Sequence, residues 1–490
     1  MKKLRELAAS PAVIICMLIV AALGLFMIGH KNFSIDEMDT VFIIKDWHTL
    51  WQVLWLREGN MWLYYIVLHI WQVLGNSEAI LRALSLVFSI ATIPVAYLLG
   101  KLLFDTKIAQ TSIILLAFNT FLIFNAQNAR AYAMVLFITT LASYFLARYR
   151  LEGRRTFLIW AAVLNILAVY THLYAAFVVA AQFVALILPL RKRLWTEILP
   201  IFAITGALVL PLFIAPSFHA QPLDWIPAPT LKNIAGTFVI LAGDFVPLGA
   251  LYLVFLAVLA AKIWPSLRKS VASPGNWKYL YLVSWIIIPI VLALGYSIAI
   301  KPLYTSPYFF VCLVPFALLA AAGIQALRRP WLRRTAISLA IILAAVRLFG
   351  WYSGSYTITG ALANNNESWG QTATYLTTHT TAGDAVLYSP SMERDKVDYY
   401  LTAQGQSLTA TEITLKPYFL TTGRQVHTLD TGVLNTLPSS HHRVWIVIER
   451  VEGSEAIRDT DTIERFMKDH YRLAHVEHFD WLEVDEYEVR

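Results

Sequence analysis

Four carboxylates lie close together in the apolar part of the chain. Only 12 of the 32 Asp and Glu residues fall within residues 1–350, and four of these 12 lie between positions 36 and 46: Asp36, Glu37, Asp39 and Asp46. A carboxylate beside an apolar segment is costly to desolvate, so it usually has a charged partner or a chemical role. The role that suits it best here is that of a general base, which takes a proton from a reacting group.

Helix capping explains part of this group. The spacing of Ser34 and Glu37 predicts a capping box, in which each residue accepts a hydrogen bond from the other's backbone amide. Asp36 would stand at the second helical position, where a carboxylate favours the positive end of the helix dipole. Neither effect explains why Asp36 and Asp39 share a helical face, with His48 further on. We therefore expect Asp36 to be the better catalytic candidate.

Arg130 is the candidate for binding an anion. It is the sole basic residue of the turn "NAQNARAY", residues 125–132, and a guanidinium binds phosphate through two parallel hydrogen bonds. An arginine whose apolar stem lies along the membrane surface is the structural alternative. Tyr132 ends the same turn, but tyrosine is common at membrane interfaces in any case.

Five further residues in connecting segments could bind a ligand. His172, in "YTHLYA", could be a metal ligand or an ordinary turn residue, while Lys301 and Tyr304, in "KPLYTSPY", could meet a lipid phosphate or merely a headgroup. Asp224 and Trp225 pair a hydrogen-bond acceptor with a flat apolar ring. That pair suits sugar binding, and a membrane-anchoring tryptophan is equally compatible with it.

The composition shows which elements must position these residues. The chain has 490 residues, of which 58% are hydrophobic and 14% charged, and its mean hydropathy is +0.57. These values indicate a membrane protein. Its basic residues stand in short clusters between apolar segments, which fits membrane topology better than nucleic-acid binding. Cys16 and Cys312 both lie inside apolar segments, so neither a disulfide framework nor a cysteine metal site is indicated.

Apolar segments long enough to cross a membrane recur through the first 350 residues. We predict eleven spans, near residues 11–29, 79–99, 108–125, 132–147, 157–171, 173–190, 198–215, 247–264, 279–299, 309–326 and 335–350. With the N-terminus inside, 20 Lys and Arg residues fall in the interior connections and six in the exterior ones. This bias predicts a cytoplasmic N-terminus, with an uncleaved first span.

Two segments after the first span are apolar but do not read as spans. Residues 61–75 are too few to cross a membrane comfortably, and they contain His69 and Gln72. Residues 41–56 place apolar side chains at near-helical spacing, with polar side chains between them. We predict two interfacial helices on the outer surface.

The last part of the chain has a different character. Residues 351–490 hold 20 acidic and 11 basic residues. The stretch 367–390 predicts a helix, a Gly-Asp turn and a strand, and "HRVWIVIER" predicts another strand. We expect a transmembrane domain at 1–350 and a small extracytoplasmic α/β domain at 351–490.

The order of these features resembles the GT-C superfamily of glycosyltransferases that use polyprenyl-phosphate-linked sugars. The chain looks closest to bacterial relatives of the protein O-mannosyltransferases and the lipid A aminoarabinose transferases. The resemblance covers residues 1–350 in topology and is carried by "SIDEMD", "MWLYY", "NARAY" and "KPLYTSPYFFVCLVP". Relatives often have His or Glu followed by two prolines where this chain reads "EGNMWLYY", and many carry an Arg-Tyr pair where it has Ser306-Pro307-Tyr308.

The resemblance implies a multi-pass α-helical protein of the cell membrane that transfers a sugar, with inversion, from a polyprenyl-phosphate donor to an acceptor hydroxyl on the extracytoplasmic side. The acceptor would be a lipid, a glycan or a protein, and nucleic acid is not expected. The implied roles fall into three groups: Asp36 and Glu37 in catalysis; Arg130, Tyr132, Lys301 and Tyr304 at the donor phosphate; and Asp39, Asp224 and Trp225 at the acceptor or sugar.

Two questions stay open at the level of sequence. No cofactor is required by this chemistry, but a divalent metal ion held by His48 or His172 together with the acids is compatible with it. The competing class of function is a lipid transporter or flippase. Such proteins usually show internal repeats and charged residues near the membrane midplane, and neither is evident here.

Overall fold

The computed structural model describes residues 10–187, 191–215, 226–270, 273, 275–354, 368–391, 393–416, 429–449, 454–479 and 482–490. The chain divides into two compact units, one of residues 1–28 and 54–364 and the other of residues 29–53 and 365–490. Residues 29–53 thus group with the C-terminal part of the chain, whereas the sequence places the domain boundary at 350.

The first unit is helical. Within the described residues, seven helices are long and apolar enough to cross a membrane: Glu78–Leu103, Tyr132–Glu152, Leu194–Ile214, Val246–Leu267, Trp277–Ala299, Ser306–Ala326 and Pro330–Tyr352. An eighth candidate is the pair Thr106–Ala117 and Thr120–Ala126, bent by 60°. Shorter apolar helices are Pro11–Leu25, Trp62–Leu74, Arg155–Thr171, Ala175–Ile187 and Leu231–Leu241. The prediction of a multi-pass membrane protein is confirmed.

Asn119 explains the bend in the pair. Its side chain accepts a hydrogen bond of 3.1 Å from the Leu122 amide and so caps the second helix, and it donates one of 3.0 Å to the Leu241 carbonyl. A residue that caps a new helix ends the previous one, because its own backbone is extended. The short helix Thr120–Ala126 leads directly into the turn that carries Arg130.

That turn is fastened to the first helix by Gln127. The Gln127 side-chain nitrogen lies 2.7–3.2 Å from three carbonyl oxygens at the end of Pro11–Leu25 and just beyond it, those of Leu23, Gly24 and Phe26. Carbonyls at a helix C-terminus have no partner within the helix, so an amide donor stabilises both segments.

Helices form in both segments that the sequence assigns to the membrane surface. Helix Trp47–Leu56 carries Trp47, Trp51 and Trp55 on one face, each about half exposed. Tryptophan is enriched at the level of the lipid headgroups, so this row suits an interfacial helix. The second segment forms helix Trp62–Trp71, which a 3-10 turn extends at Gln72–Leu74.

In the described part of the chain, the second unit, below called the C-terminal unit, is built on a five-stranded mixed sheet. Its strands are β1 Ala385–Ser389, β2 Thr411–Ile413, β3 Arg443–Glu449, β4 Tyr471–Phe479 and β5 Leu482–Val489, in the order β2-β1-β3-β5-β4. β1 pairs in parallel with β2 and β3, while β5 pairs antiparallel with β3 and β4. Its helices are Ile35–Ile44, Trp369–His379, Glu393–Ala403, Thr431–Ser440 and Ser454–His470.

Helices cover both faces of this sheet. On one face, Leu387 and Ile446 pack in a buried core with Leu434 and Met467 of the last two helices. On the other, Trp445 contacts Tyr375 of helix Trp369–His379, at 6.2 Å between ring centroids. The prediction of an α/β domain is confirmed, and so are the predicted helix, Gly-Asp turn and strand, with Gly383 at φ +102°.

Candidate active site

The helix Ile35–Ile44, here called the acidic helix, begins with the predicted capping box. The Glu37 amide donates to Ser34 Oγ at 3.4 Å, and the Ser34 amide donates to Glu37 Oε2 at 3.0 Å. Glu37 is only 3% exposed. The structural explanation of Glu37 is therefore confirmed, while its catalytic role stays a prediction.

Asp46 also has a structural role. Its carboxylate accepts hydrogen bonds from the Thr49 amide at 2.8 Å and the Thr49 hydroxyl at 2.9 Å, and so caps helix Trp47–Leu56. The Thr49 amide in particular lowers the pKa of Asp46. His48 is exposed on the first turn of the same helix.

Asp39 lies within electrostatic range of a buried lysine, Lys396. The ammonium of Lys396 is 2.9 Å from Glu393 and 3.8 Å from Glu449. Burial alone would lower the pKa of Lys396, but the charges of Glu393, of Glu449 and, more weakly, of Asp39 raise it. The acidic helix is thus coupled electrostatically to the core of the C-terminal unit.

On the acidic helix, Asp36 is more exposed than Glu37 and Asp39. It lies in the first turn of the acidic helix, its side chain is exposed, and its backbone carbonyl accepts a hydrogen bond of 2.9 Å from the Thr40 hydroxyl. An exposed carboxylate on a helix whose end is fixed by a capping box is accessible to a substrate and held in a defined place.

Arg130 occupies the turn between Thr120–Ala126 and Tyr132–Glu152. It is 8% exposed, and its Nη1 lies 3.5 Å from the hydroxyl oxygen of Tyr65. Its backbone carbonyl accepts a hydrogen bond of 3.3 Å from the Ser85 hydroxyl. A guanidinium this buried retains its charge and interacts strongly with a nearby anion, because little water screens it.

Beside this turn lies a group of aromatic rings in contact, here called the aromatic cluster: Tyr132, His172, Tyr174 and Tyr308. The ring of Tyr308 is 5.1 Å from that of Tyr174, 5.3 Å from that of His172 and 6.1 Å from that of Tyr132. The Tyr132 and His172 rings are 5.6 Å apart. The turns around residues 130, 172 and 308 therefore converge in the fold.

Asn60 holds His172 in place. Its side-chain oxygen accepts a hydrogen bond of 2.9 Å from the Leu173 amide, and its nitrogen lies 3.3 Å from His172 Nε2. Burial, and secondarily the charge of Arg130, lower the pKa of His172 to about 3, so this turn residue is neutral. No group of three or more His, Cys, Asp or Glu residues suited to a metal ion occurs in the part of the chain that the structure describes.

The remaining predicted ligands have separate surroundings. Tyr304 is buried, with its hydroxyl 2.7 Å from that of Thr237 and its amide donating to Ser297 Oγ at 2.9 Å. Lys301 is half-buried near the end of helix Trp277–Ala299. Asp224 and Trp225 lie outside the described residues.

Sequence reasoning missed several members of this site. Tyr65, Asn60 and Tyr174 contact the predicted residues but are not among the predicted ligands, while Tyr308 is noted only as the end of "KPLYTSPY". Tyr65 and Tyr308 do lie in "MWLYY" and "KPLYTSPYFFVCLVP", which carry the resemblance. Tyr174 stands two positions from His172, whereas the contacts of Tyr65 with Arg130 and of Tyr308 with His172 join residues more than 60 positions apart, which no local pattern reveals.

Comparisons with known proteins concern the family and the fold of the chain. Residues 58–217 match the family model of the dolichyl-phosphate-mannose-protein mannosyltransferases. No curated protein matches the chain significantly. The family match bears out the resemblance that the sequence predicts, to glycosyltransferases that use lipid-phosphate-linked sugars.

Solved structures share the fold at low sequence identity. ArnT from Cupriavidus metallidurans in the apo state is 12% identical, with a TM-score of 0.65 and 98% of each chain covered. The same protein bound to undecaprenyl phosphate gives 13% identity, a TM-score of 0.61 and 97% of each chain. The archaeal oligosaccharyltransferase AglB from Archaeoglobus fulgidus, in complex with an inhibitory peptide and a dolichol-phosphate, gives 12% identity and a TM-score of 0.54, covering 94% of this chain and 72% of that one.

Proposed function

We propose that this chain transfers a sugar from a polyprenyl-phosphate donor to an acceptor hydroxyl in a single inverting displacement on the extracytoplasmic side of the cell membrane. The family match over residues 58–217 supports the class of reaction. Two proteins of the same fold hold a polyprenyl phosphate in their structures, undecaprenyl phosphate in one and dolichol-phosphate in the other. A donor lipid of this kind is the natural candidate here.

The proposed topology has eleven spans. It adds three shorter apolar helices, Pro11–Leu25, Arg155–Thr171 and Ala175–Ile187, to the seven long ones and the bent pair. These coincide with the spans expected from sequence. The bias of basic residues then places the N-terminus in the cytoplasm, and the turn of Arg130 and the C-terminal domain outside.

The buried guanidinium of Arg130 is the observation that carries the proposal. In the proposed reaction the donor phosphate leaves with the negative charge, and Arg130 neutralises that charge as it develops. Tyr65 and Tyr132 offer hydroxyl groups close by, and the neutral His172 adds no competing positive charge. Lys301 and Tyr304 would complete the donor side.

The acceptor side is assigned to the acidic helix. Asp36 takes the proton of the acceptor hydroxyl as the new glycosidic bond forms, a step to which a positioned carboxylate contributes about 10²–10⁴-fold. Glu37 fixes the helix end that carries Asp36, and Asp39 orients the base or binds the acceptor.

The first test removes the charge of Asp36. We expect Asp36→Asn to abolish consumption of a polyprenyl-phosphate sugar by the protein reconstituted in proteoliposomes, while binding of the donor lipid stays intact. The donor sugar is found first by presenting the wild-type protein with a panel of such lipids.

Asp46→Asn is the matched control, because Asp46 is another acid of the same segment whose carboxylate caps a helix. We expect this variant to keep both its turnover and its stability, because asparagine caps a helix about as well as aspartate does. Turnover retained in Asp36→Asn, or lost equally in both variants, would overturn the assignment of the base.

A further inference from the structure

The C-terminal unit contains a polar pocket whose role the reaction described above does not explain. Its volume is about 560 Å³, within the range of about 300–1,000 Å³ that is usual for small-ligand sites. It is formed by helix Trp369–His379, by the end of helix Glu393–Ala403, by the segment before the acidic helix and by the end of strand β4.

One helical face supplies most of the polar groups. Gln371, Thr374, Tyr375 and Thr378 follow one another at the spacing that places side chains on the same side of a helix, and all four line the pocket. The opposite face of this helix, with Trp369, Ala373 and Leu376, is buried. The helix thus packs with its apolar face and presents hydroxyl, amide and phenol groups to the pocket.

The facing wall holds Gln404 in a fixed orientation. Its side-chain nitrogen donates to the Gly370 carbonyl at 3.1 Å, and its oxygen accepts from the Thr374 hydroxyl at 3.2 Å. A primary amide has a second N–H and a second lone pair, so these two bonds leave it able to donate to and accept from a ligand.

Gly370 keeps the pocket open between its walls. A Cβ atom there would lie 3.4 Å from Asn32 Oδ1, from Gln404 Nε2 and from Tyr400 Cδ1. Any larger side chain would fill the space between the three. Asn32 and Tyr400 belong to the pocket lining, so the absence of a side chain at Gly370 leaves room for a ligand at that point.

Aromatic rings complete the site. Tyr375 stacks on His379 at 4.0 Å and meets the edge of Phe479 at 5.4 Å, and Tyr375 and Phe479 both line the pocket. Tyrosine offers an apolar face together with a hydroxyl. Among the residues that the structure describes, the pocket lining holds His30 but no Asp, Glu, Lys or Arg, which favours a neutral ligand over a charged one such as a phosphate.

The pocket adjoins the segment that leads to the proposed base. Asn32 lines the pocket and precedes Asp36 by four residues, so their Cα atoms are at most about 14 Å apart. The amide of Phe33, between them, donates a buried hydrogen bond of 2.7 Å to the hydroxyl of Tyr400, a residue of the pocket wall. A molecule held in the pocket would lie beside the acidic helix.

We propose that this pocket binds a neutral sugar unit of the acceptor. Amides, hydroxyls and an aromatic face, without formal charge, match a ligand whose surface is made of hydroxyl groups and C–H faces. The proposal rests on the proposed function only in naming the bound sugar as part of the acceptor; the binding itself does not depend on Asp36 or Arg130.

The test measures sugar binding to the full-length protein in nanodiscs, without donor lipid. The probes are neutral oligosaccharides built from hexoses, pentoses and N-acetylhexosamines. Their binding is detected by saturation-transfer NMR. We expect at least one class to bind. Thr378→Trp, which fills the pocket from an exposed helical position, should abolish the signal, and Gln404→Ala should weaken binding by about tenfold because hydrogen bonds to the ligand are lost.

Thr402→Trp is the matched control, since Thr402 is also exposed on a helix of this unit but does not line the pocket. It should bind as the wild type does. Three results would overturn the proposal. The first is that no oligosaccharide of the panel binds, and the second is that the signal persists in Thr378→Trp. The third is that an uncharged peptide of similar size binds equally well and loses its binding in Thr378→Trp. Because no donor is present, these results differ from a failure of the transfer assay.

Discussion

Replacing Arg130 by glutamine tests the donor site most directly. Glutamine keeps part of the length and the hydrogen-bonding capacity of arginine but removes its charge. Arg130 is 8% exposed, so the lost charge is one that water screens weakly. We expect the variant to bind a polyprenyl phosphate poorly and to transfer sugar slowly.

The size of the effect follows from this burial. A guanidinium about 4 Å from a phosphate, in surroundings of effective dielectric constant near 20, contributes about 4 kcal/mol. Hydrogen bonds from glutamine recover part of this, so a net loss of about 2–4 kcal/mol is expected. That corresponds to a fall of about 30-fold to 1,000-fold in kcat/KM for the donor. Arg130→Lys keeps the charge without the two-pronged geometry and should lose about tenfold.

The assay compares two lipids in the same variants. Binding of undecaprenyl phosphate and of the uncharged undecaprenol is measured by native mass spectrometry, and donor consumption is measured in proteoliposomes. Arg130→Gln should weaken binding of the phosphate and leave binding of the alcohol unchanged.

Arg148→Gln is the matched control. Arg148 lies in helix Tyr132–Glu152, about 24 Å along from its first residue, where it pairs with Glu152 at 2.6 Å. This variant should discriminate between the two lipids as the wild type does. If Arg130→Gln kept the same preference for the phosphate, Arg130 would be an arginine of the membrane interface without a role at the donor.

Three further predictions concern the C-terminal unit. Ser34→Ala removes the acceptor of the Glu37 amide and should cost about 1 kcal/mol, seen as faster hydrogen exchange across the acidic helix with unchanged donor binding. Burial raises the pKa of Asp485 to about 6. The stability that this carboxyl contributes is therefore present below pH 4 and lost as the pH rises through about 6. Between pH 4 and pH 7, the midpoint of thermal unfolding should depend less on pH in Asp485→Asn than in the wild type. Tyr400→Phe deprives the Phe33 amide of its acceptor and should lower kcat while leaving donor affinity unchanged.

Features that depend on neighbours in sequence could be predicted from the sequence. The capping box of Ser34 and Glu37 needs only residues three apart, and the structure contains it. The helix, turn and strand from Trp369 to Ser389 follow from local propensity and from a glycine at positive φ. The membrane helices follow from runs of apolar residues, because a backbone in lipid must satisfy its own hydrogen bonds.

Features that depend on distant contacts could not be predicted in this way. The aromatic cluster joins Tyr132, His172 and Tyr308, which are far apart in sequence. Each residue taken alone resembles an ordinary interfacial side chain, and only their convergence beside Arg130 distinguishes them. The grouping of residues 29–53 with the C-terminal unit has the same origin, since the Phe33 amide bonds to Tyr400, 367 positions away.

This grouping changes how the acids near the first span are understood. Glu37 and Asp46 cap helices, and Asp39 lies within range of the charge of Lys396, so each of these three acids has a structural interaction. These interactions fix the helix on which Asp36 is exposed. Because the hydrogen bond to Tyr400 and the charge of Lys396 both come from the C-terminal unit, that unit positions the proposed base. A substitution that loosens the core of this unit should therefore lower turnover while the affinity for the donor lipid stays unchanged.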